Sequence, residues 1–433
     1  MRRKAMTTGK MWLAAGLASV LAACAGMDGG ASPTQAAWPT KSSVAATQSG
    51  FTAEGLAALD ARLKQAVDKQ EVAGLEYALV KDGKVVAFNI YGNQSYGGAP
   101  MAEDTLFRIR SMTKPITGVA MMQLWEQGKW KPEDPVTKFL PEFANLKVAS
   151  SSENLDNLVP AKRAPNMNEV MTHTAGFGYG LSANNAVDRA FIADHPMDKK
   201  DLPALVKRTS EIPLLAQPGE KWSYSIAVDL QGAIVEKITG KKFGDYLEQN
   251  IFSPLGMKDT GFWLTEAERA RFATVYQRNA ASGAWDVYPD PATRDFFQRP
   301  QAESGGGGLT STLHDYVRFL QMLLNKGELD GKRILKAETV DYMMQNHIGE
   351  LKGVFGGGGF GYGGMVIVGE PTERAPHPKG TYSWFGIDGT WFWVDPANNL
   401  TFVAMIQRRG NAGPGAVDLR GESAQLVYKA LVK

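Results

Sequence analysis

The feature that most constrains this fold is the distance along the chain between its β-rich segments. One pair lies early, Leu75 to Val80 and Val85 to Tyr91, joined by Asp82-Gly83 in the pattern of a tight hairpin. The rest lie late, at Phe360 to Val368, Thr390 to Val394 and Leu400 to Gln407, with Asp395-Pro396-Ala397-Asn398-Asn399 linking the last two. Between them the apolar spacing is mainly helical, at Leu202 to Thr209, Ala227 to Thr239 and Phe243 to Ile251. The polar run from Ser150 to Asn168 is expected to be loop. Further helices are expected at Leu56 to Val67, from the Ser111 segment to Gln127, at Leu313 to Asn325 behind the N-cap Thr312, and at Glu422 to Leu431. This order predicts an α/β (α+β) fold with an antiparallel sheet completed by both chain ends and flanked by helices. Residues 51–128 with 300–433 would form an α/β lobe and 129–299 an inserted, mainly helical lobe. The active cleft is expected between the two.

The first residues have another character. A basic start (Arg2, Arg3, Lys4, Lys10), an apolar run from Met11 to Ala23 and small residues at its end give the pattern of a secretory signal, residues 1–23. Leu21-Ala22-Ala23-Cys24 resembles a bacterial lipobox, and Cys24 is the only cysteine. The expectation is an exported protein, periplasmic or anchored to the outer membrane through lipidated Cys24, with residues 24–50 as a flexible tether. Without the four leader cations the balance is 43 basic to 45 acidic residues, a net charge of about −2. Neither a nucleic-acid surface nor an anionic-membrane surface is expected from that balance.

Candidate chemistry starts at Arg110-Ser111-Met112-Thr113-Lys114-Pro115. A serine hydroxyl needs a base within hydrogen-bond reach to act as a nucleophile. Positions three apart on a helix share a face, so Lys114 can reach Ser111. Burial and a positive helix N-terminus both favour the neutral amine that a base requires. The same N-terminus offers backbone N–H groups to a developing oxyanion. This Ser-x-x-Lys spacing occurs once in the chain. No serine lies in a Gly-x-Ser-x-Gly elbow, the five histidines (173, 195, 314, 347, 377) show no metal-binding spacing, and Gly305 to Gly308 and Gly356 to Gly359 lack a P-loop ending. No metal and no cofactor are expected. The glycine clusters fit hinges or close backbone approaches.

Three stretches in order, Phe107 to Pro115, Met171-Thr172-His173-Thr174-Ala175-Gly176 and Pro218-Gly219-Glu220-Lys221-Trp222-Ser223-Tyr224-Ser225, resemble the serine β-lactamase-like superfamily. That superfamily includes class C β-lactamases, penicillin-binding DD-peptidases and family VIII carboxylesterases. The resemblance runs from about Phe51 to the C-terminus and implies a β-lactamase/transpeptidase-like fold. It implies Ser111 as nucleophile, Lys114 as its base and Tyr224 as the group that shares proton transfer and serves the leaving group. Two departures bear on substrate. The Tyr-x-Asn of β-lactamases ends here in Ile226, and no Lys-Thr-Gly occurs; the corresponding stretch, Trp384-Phe385-Gly386, resembles the Trp-x-Gly of family VIII carboxylesterases. Loss of that lysine removes a partner for a substrate carboxylate, which favours neutral esters. In this register the oxyanion donors are the N–H groups of Ser111 and Ile387, and Trp384, Phe385, Gly386, Phe177 and Tyr179 are candidate substrate-pocket residues.

The expectation is a carboxylesterase acting on small-molecule esters, short-chain or aryl, with weak cephalosporin hydrolysis from the shared scaffold. A class C-like β-lactamase or DD-peptidase is the second reading, and a lipid-tethered binding protein without catalysis is the third. The sequence leaves the oligomeric state open.

Overall fold

The structure is a computed structural model that describes residues 38–39, 49–279, 281–290, 294–351, 353–354, 357–410 and 417–432. The expected signal segment, Cys24 and all of the expected tether except 38–39 and 49–50 lie outside the described residues. Among the described residues no helix is long and apolar enough to cross a membrane.

A seven-stranded antiparallel sheet joins the two ends of the chain. The early hairpin, Gly74–Lys81 with Lys84–Gly92, forms one edge, and its turn places Asp82 and Gly83 at φ 52° and 70°. That turn geometry matches the twist of the strands it joins. The late strand Leu400–Met405 pairs with Gly74–Lys81, from Glu76 opposite Met405 to Lys81 opposite Leu400. Trp391–Asp395 and then Tyr382–Phe385 follow outward.

Side-chain alternation sorts these strands into two apolar layers. Leu75, Tyr77, Leu79, Trp391, Trp393, Phe402 and Ala404 face the helices Ala53–Asp68 and Leu419–Ala430, the helices expected near both chain ends. Ala78, Val80, Phe392, Val394, Val403 and Met405 face the other way, toward Thr113–Glu126 and Leu313–Leu324. The Thr113–Glu126 helix is buried almost all round, as a helix between two layers must be. It also packs against Ala227–Thr239. Trp393 and Phe402 stack with centroids 4.3 Å apart in the first layer. Trp393→Ala is expected to cost about 3–5 kcal/mol, read as a lower midpoint in chemical denaturation, because the neighbouring strands cannot close the gap.

Several expected boundaries shift. The run from Phe360 to Val368 is not one strand: Gly359–Phe360 turns back through Gly361, Gly363 and Gly364 to pair with Met365–Val366. Gly363 at φ 89° makes that reversal possible. The expected loop from Ser150 to Asn168 contains Leu158–Pro160, which pairs with Lys147–Ala149, and the start of the Met167–Thr172 helix. Phe243 to Ile251 begins as α-helix over Phe243–Leu247 and widens to a π-helix over Glu248–Phe252.

Candidate active site

Ser111 lies in a 3-10 turn, Arg110–Met112, that feeds directly into the Thr113–Glu126 helix. The turn is strained, since Arg110 adopts a left-handed φ of 46°, a conformation that costs a non-glycine residue roughly 1–3 kcal/mol. Neighbouring elements hold it there. Arg110 Nε donates to the buried Asp388 carboxylate, and Arg110 Nη2 lies 3.5 Å from Asp290. Gly386 presses on the turn from the sheet: a Cβ there would fall 2.5 Å from the Ile109 carbonyl oxygen. The glycine therefore lets the end of strand Tyr382–Phe385 dock beside Ser111, and the next residue, Ile387, lines the same cavity as Ser111.

Three predicted groups meet at the serine. Ser111 Oγ is 2.7 Å from the Tyr224 hydroxyl and 3.2 Å from Lys114 Nζ, and Lys114 is fully buried. Lys114 Nζ also donates to the Gly306 carbonyl at 2.6 Å and to the Tyr179 hydroxyl at 3.4 Å. Two phenols thus flank one amine, and their surroundings differ. Burial first, then the charge of Asp229, holds Tyr179 well above the usual tyrosine range. Tyr179 is therefore a fixed phenol, whereas Tyr224 is the tyrosine bonded to the serine.

Backbone clamps set Tyr224. Ser223 N–H donates to the His173 carbonyl at 2.9 Å and Ser225 N–H donates to His173 Nδ1 at 3.2 Å, so His173 grips both neighbours of the tyrosine. The His173 ring is 4.9 Å from that of Tyr224. Burial, then the charge of Lys114, lowers His173 well below the ordinary histidine value, so the ring stays neutral and Nδ1 can accept.

Sequence reasoning missed Asp229, which has no motif of its own. It sits on the buried face of Ala227–Thr239, where its carboxylate accepts from Ser304 Oγ at 2.6 Å and from Gly306 N–H at 2.9 Å. The Gly306 peptide thus links Asp229 to Lys114. Burial raises the Asp229 carboxyl and the charge of Lys114 opposes that rise. The glycine cluster is a close backbone approach, because a Cβ at Gly306 would lie 2.5 Å from Asp229 Oδ2 and one at Gly305 would lie 2.5 Å from the Val228 carbonyl oxygen. The short ladder of Phe107–Arg108 with Thr310–Ser311 holds this stretch beside the serine turn. Asp229→Asn is expected to lower ester kcat/KM on the order of 100-fold through misplacement of that peptide. The acidic limb of the pH–rate profile should also move to lower pH, because a negative charge that favours protonated neighbours is gone. A fault confined to packing would leave the profile in place.

A cavity of about 650 Å³ opens over Ser111 and Tyr224, with Tyr179, Trp384, Phe385 and Ile387 in its wall. Phe177 is placed elsewhere: it is buried and meets Phe143 edge-on at 5.3 Å in the core. Gly386 belongs to the docking contact described above rather than to this wall.

The sheet, the buried helix behind the serine and the inserted helices together are the β-lactamase/transpeptidase-like architecture. The family described as Beta-lactamase matches residues 59–426, and the chain belongs to it, an enzyme of the β-lactamase-like hydrolase superfamily. Esterase EstB of Burkholderia gladioli is 31% identical over 413 residues, covering 88% of this chain and 98% of EstB. Protein Rv1367c of Mycobacterium tuberculosis is 33% identical over 80% of this chain and 88% of its own length. Among solved structures, EstCE1, described as a hydrolase with promiscuous acyltransferase activity, superposes with a TM-score of 0.70 at 25% identity, covering 88% of this chain and 99% of that one. Simvastatin synthase LovD of Aspergillus terreus shares the fold, with a TM-score of 0.73 at 23% identity over 87% of this chain and 98% of its own.

Proposed function

We propose that this enzyme is a serine carboxylesterase that cleaves short-chain and aryl carboxylic esters through an acyl-enzyme, in the manner of family VIII esterases. Ser111 Oγ attacks the ester carbonyl carbon, and its proton passes to the Lys114 and Tyr224 pair. The N–H groups of Ser111 and Ile387 receive the oxyanion. Tyr224 returns the proton to the departing alkoxide, which leaves as the alcohol. Water then adds to the acyl carbon, gives its proton to the same pair, and Ser111 departs with a proton restored as the acid is released. The observation that carries this reading is the convergence of Lys114 Nζ and Tyr224 Oη on Ser111 Oγ at the floor of a cavity with aromatic walls. The names of EstB and EstCE1 agree with it.

A β-lactamase or DD-peptidase role is less favoured because the chain has no Lys-Thr-Gly, and Trp384, 2% exposed, heads the stretch that resembles the Trp-x-Gly of family VIII esterases instead. A charge-assisted hydrogen bond is worth about 1.5–3 kcal/mol, so benzylpenicillin kcat/KM is expected at least roughly tenfold below that of p-nitrophenyl butyrate. Nitrocefin should show weak turnover. Benzylpenicillin turned over faster than the butyrate would reverse the assignment. Export and lipid anchoring through Cys24 remain part of the proposal, tested by Cys24→Ser and recovery of the protein in the soluble rather than the membrane fraction.

A further inference from the structure

Charge in the wall of the cavity is strongly one-sided. Arg110, Lys199, Lys200, Arg294 and Arg409 line it, and among the described residues Asp198 is its only acidic side chain. The arginines are not independent surface cations. The guanidinium carbons of Arg108, Arg110 and Arg294 lie 4.9, 5.7 and 4.3 Å from the centroid of the single buried ring of Phe296. Two carboxylates serve this group. Asp290 takes Arg108 through paired bonds of 2.8 and 2.5 Å and stands 3.5 Å from Arg110, while Asp388 takes Arg110 and lies 3.6 Å from Arg409. Three guanidiniums, those of Arg108, Arg110 and Arg409, therefore share two carboxylates, and Arg294 stands on the ring it shares with Arg108 and Arg110. Among the described residues, the hydrogen bonds of Arg294 go to the backbone carbonyls of Phe262, Asp295 and Gly308, and no carboxylate lies within 4.0 Å of it. Burial and the neighbouring Arg110 push Arg294 down to about 10, and the charges of Asp290 and Asp295 offset only part of that shift.

A half-buried excess of guanidinium in a cavity wall favours an anion, and guanidinium geometry suits a carboxylate. We propose that Arg294 and Arg409 form an anion subsite, and that the enzyme prefers esters carrying a second, free carboxylate. This inference rests on the esterase reading of Ser111 and names its substrate class. It also amends the expectation of neutral esters: Trp384 removes a cation for a lactam carboxylate, whereas Arg294 and Arg409 come from other segments of the cavity wall and suit a carboxylate carried on the acyl chain of an ester.

The test compares mono-p-nitrophenyl glutarate with p-nitrophenyl glutaramate, which has the same length and shape and no charge. The wild-type enzyme is expected to favour the glutarate in kcat/KM by about tenfold to a hundredfold, mainly through KM. Added salt should shrink the preference. Arg409→Gln and Arg294→Gln, made separately because Arg294 also ties backbone carbonyls, should each bring the glutarate-to-glutaramate ratio toward one. A wild-type ratio at or below one, with both esters cleaved, overturns the anion subsite and leaves the esterase assignment standing. If neither ester nor p-nitrophenyl butyrate is cleaved, the esterase reading fails, and calorimetric titration of the Ser111→Ala enzyme with the two intact esters decides the subsite alone. Tighter binding of the glutarate ester that is lost in Arg409→Gln supports it; equal binding overturns it.

Discussion

Ser111→Ala is expected to lower kcat for p-nitrophenyl butyrate by roughly 10⁴- to 10⁶-fold while the protein keeps its fold. The hydroxyl is the atom on which Lys114 and Tyr224 both converge, and no other serine in the chain has a lysine three residues on. Binding and the oxyanion donors survive the substitution, so KM should change far less than kcat. The side chain sits in a turn fixed by Arg110, Asp388 and Gly386, none of which bonds to the hydroxyl, and an unchanged far-UV spectrum and denaturation midpoint should accompany the loss.

Lys114→Ala is expected to be damaging to a lesser degree, on the order of 10²–10⁴-fold, the range over which a positioned general base contributes. Removal of this buried side chain also releases the Gly306 carbonyl and leaves Asp229 without its neighbouring cation. Some loss of stability should therefore appear alongside the loss of rate. Non-additivity separates the two effects. If Lys114 acts through Ser111, the double variant Ser111→Ala with Lys114→Ala is no slower than Ser111→Ala alone. A further multiplicative fall would mean that the lysine serves a different step.

The parts legible from sequence are those in which chemistry and periodicity coincide. Ser111 and Lys114 were visible because a three-residue spacing at a helix start has a geometric meaning, and the hairpin at Asp82-Gly83 because its turn needs positive φ. Tyr224 was found only through resemblance; by itself it is an aromatic residue ahead of a helix, and the His173 clamp that aims it acts across 52 positions through backbone groups. Asp229 left no signal because an acid on an apolar helix reads as a solvated face until its partners at Ser304 and Gly306 are seen. Strand Tyr382–Phe385 went unnoticed because it is four residues long and bounded by Gly380 and Gly386. Phe177 and Tyr179 read alike in sequence, yet one packs on Phe143 and the other reaches Lys114. The arginine cluster is drawn from positions 108, 110, 294 and 409, a convergence that no local pattern encodes.

The most direct test of the central claim is mass spectrometry of the enzyme quenched in acid during turnover of p-nitrophenyl butyrate. One butyryl group is expected on the peptide that contains Ser111, accumulating in the steady state and absent from Ser111→Ala. A butyryl group on any other residue, or steady hydrolysis by an enzyme that never carries one under conditions where deacylation is slowed, would contradict it.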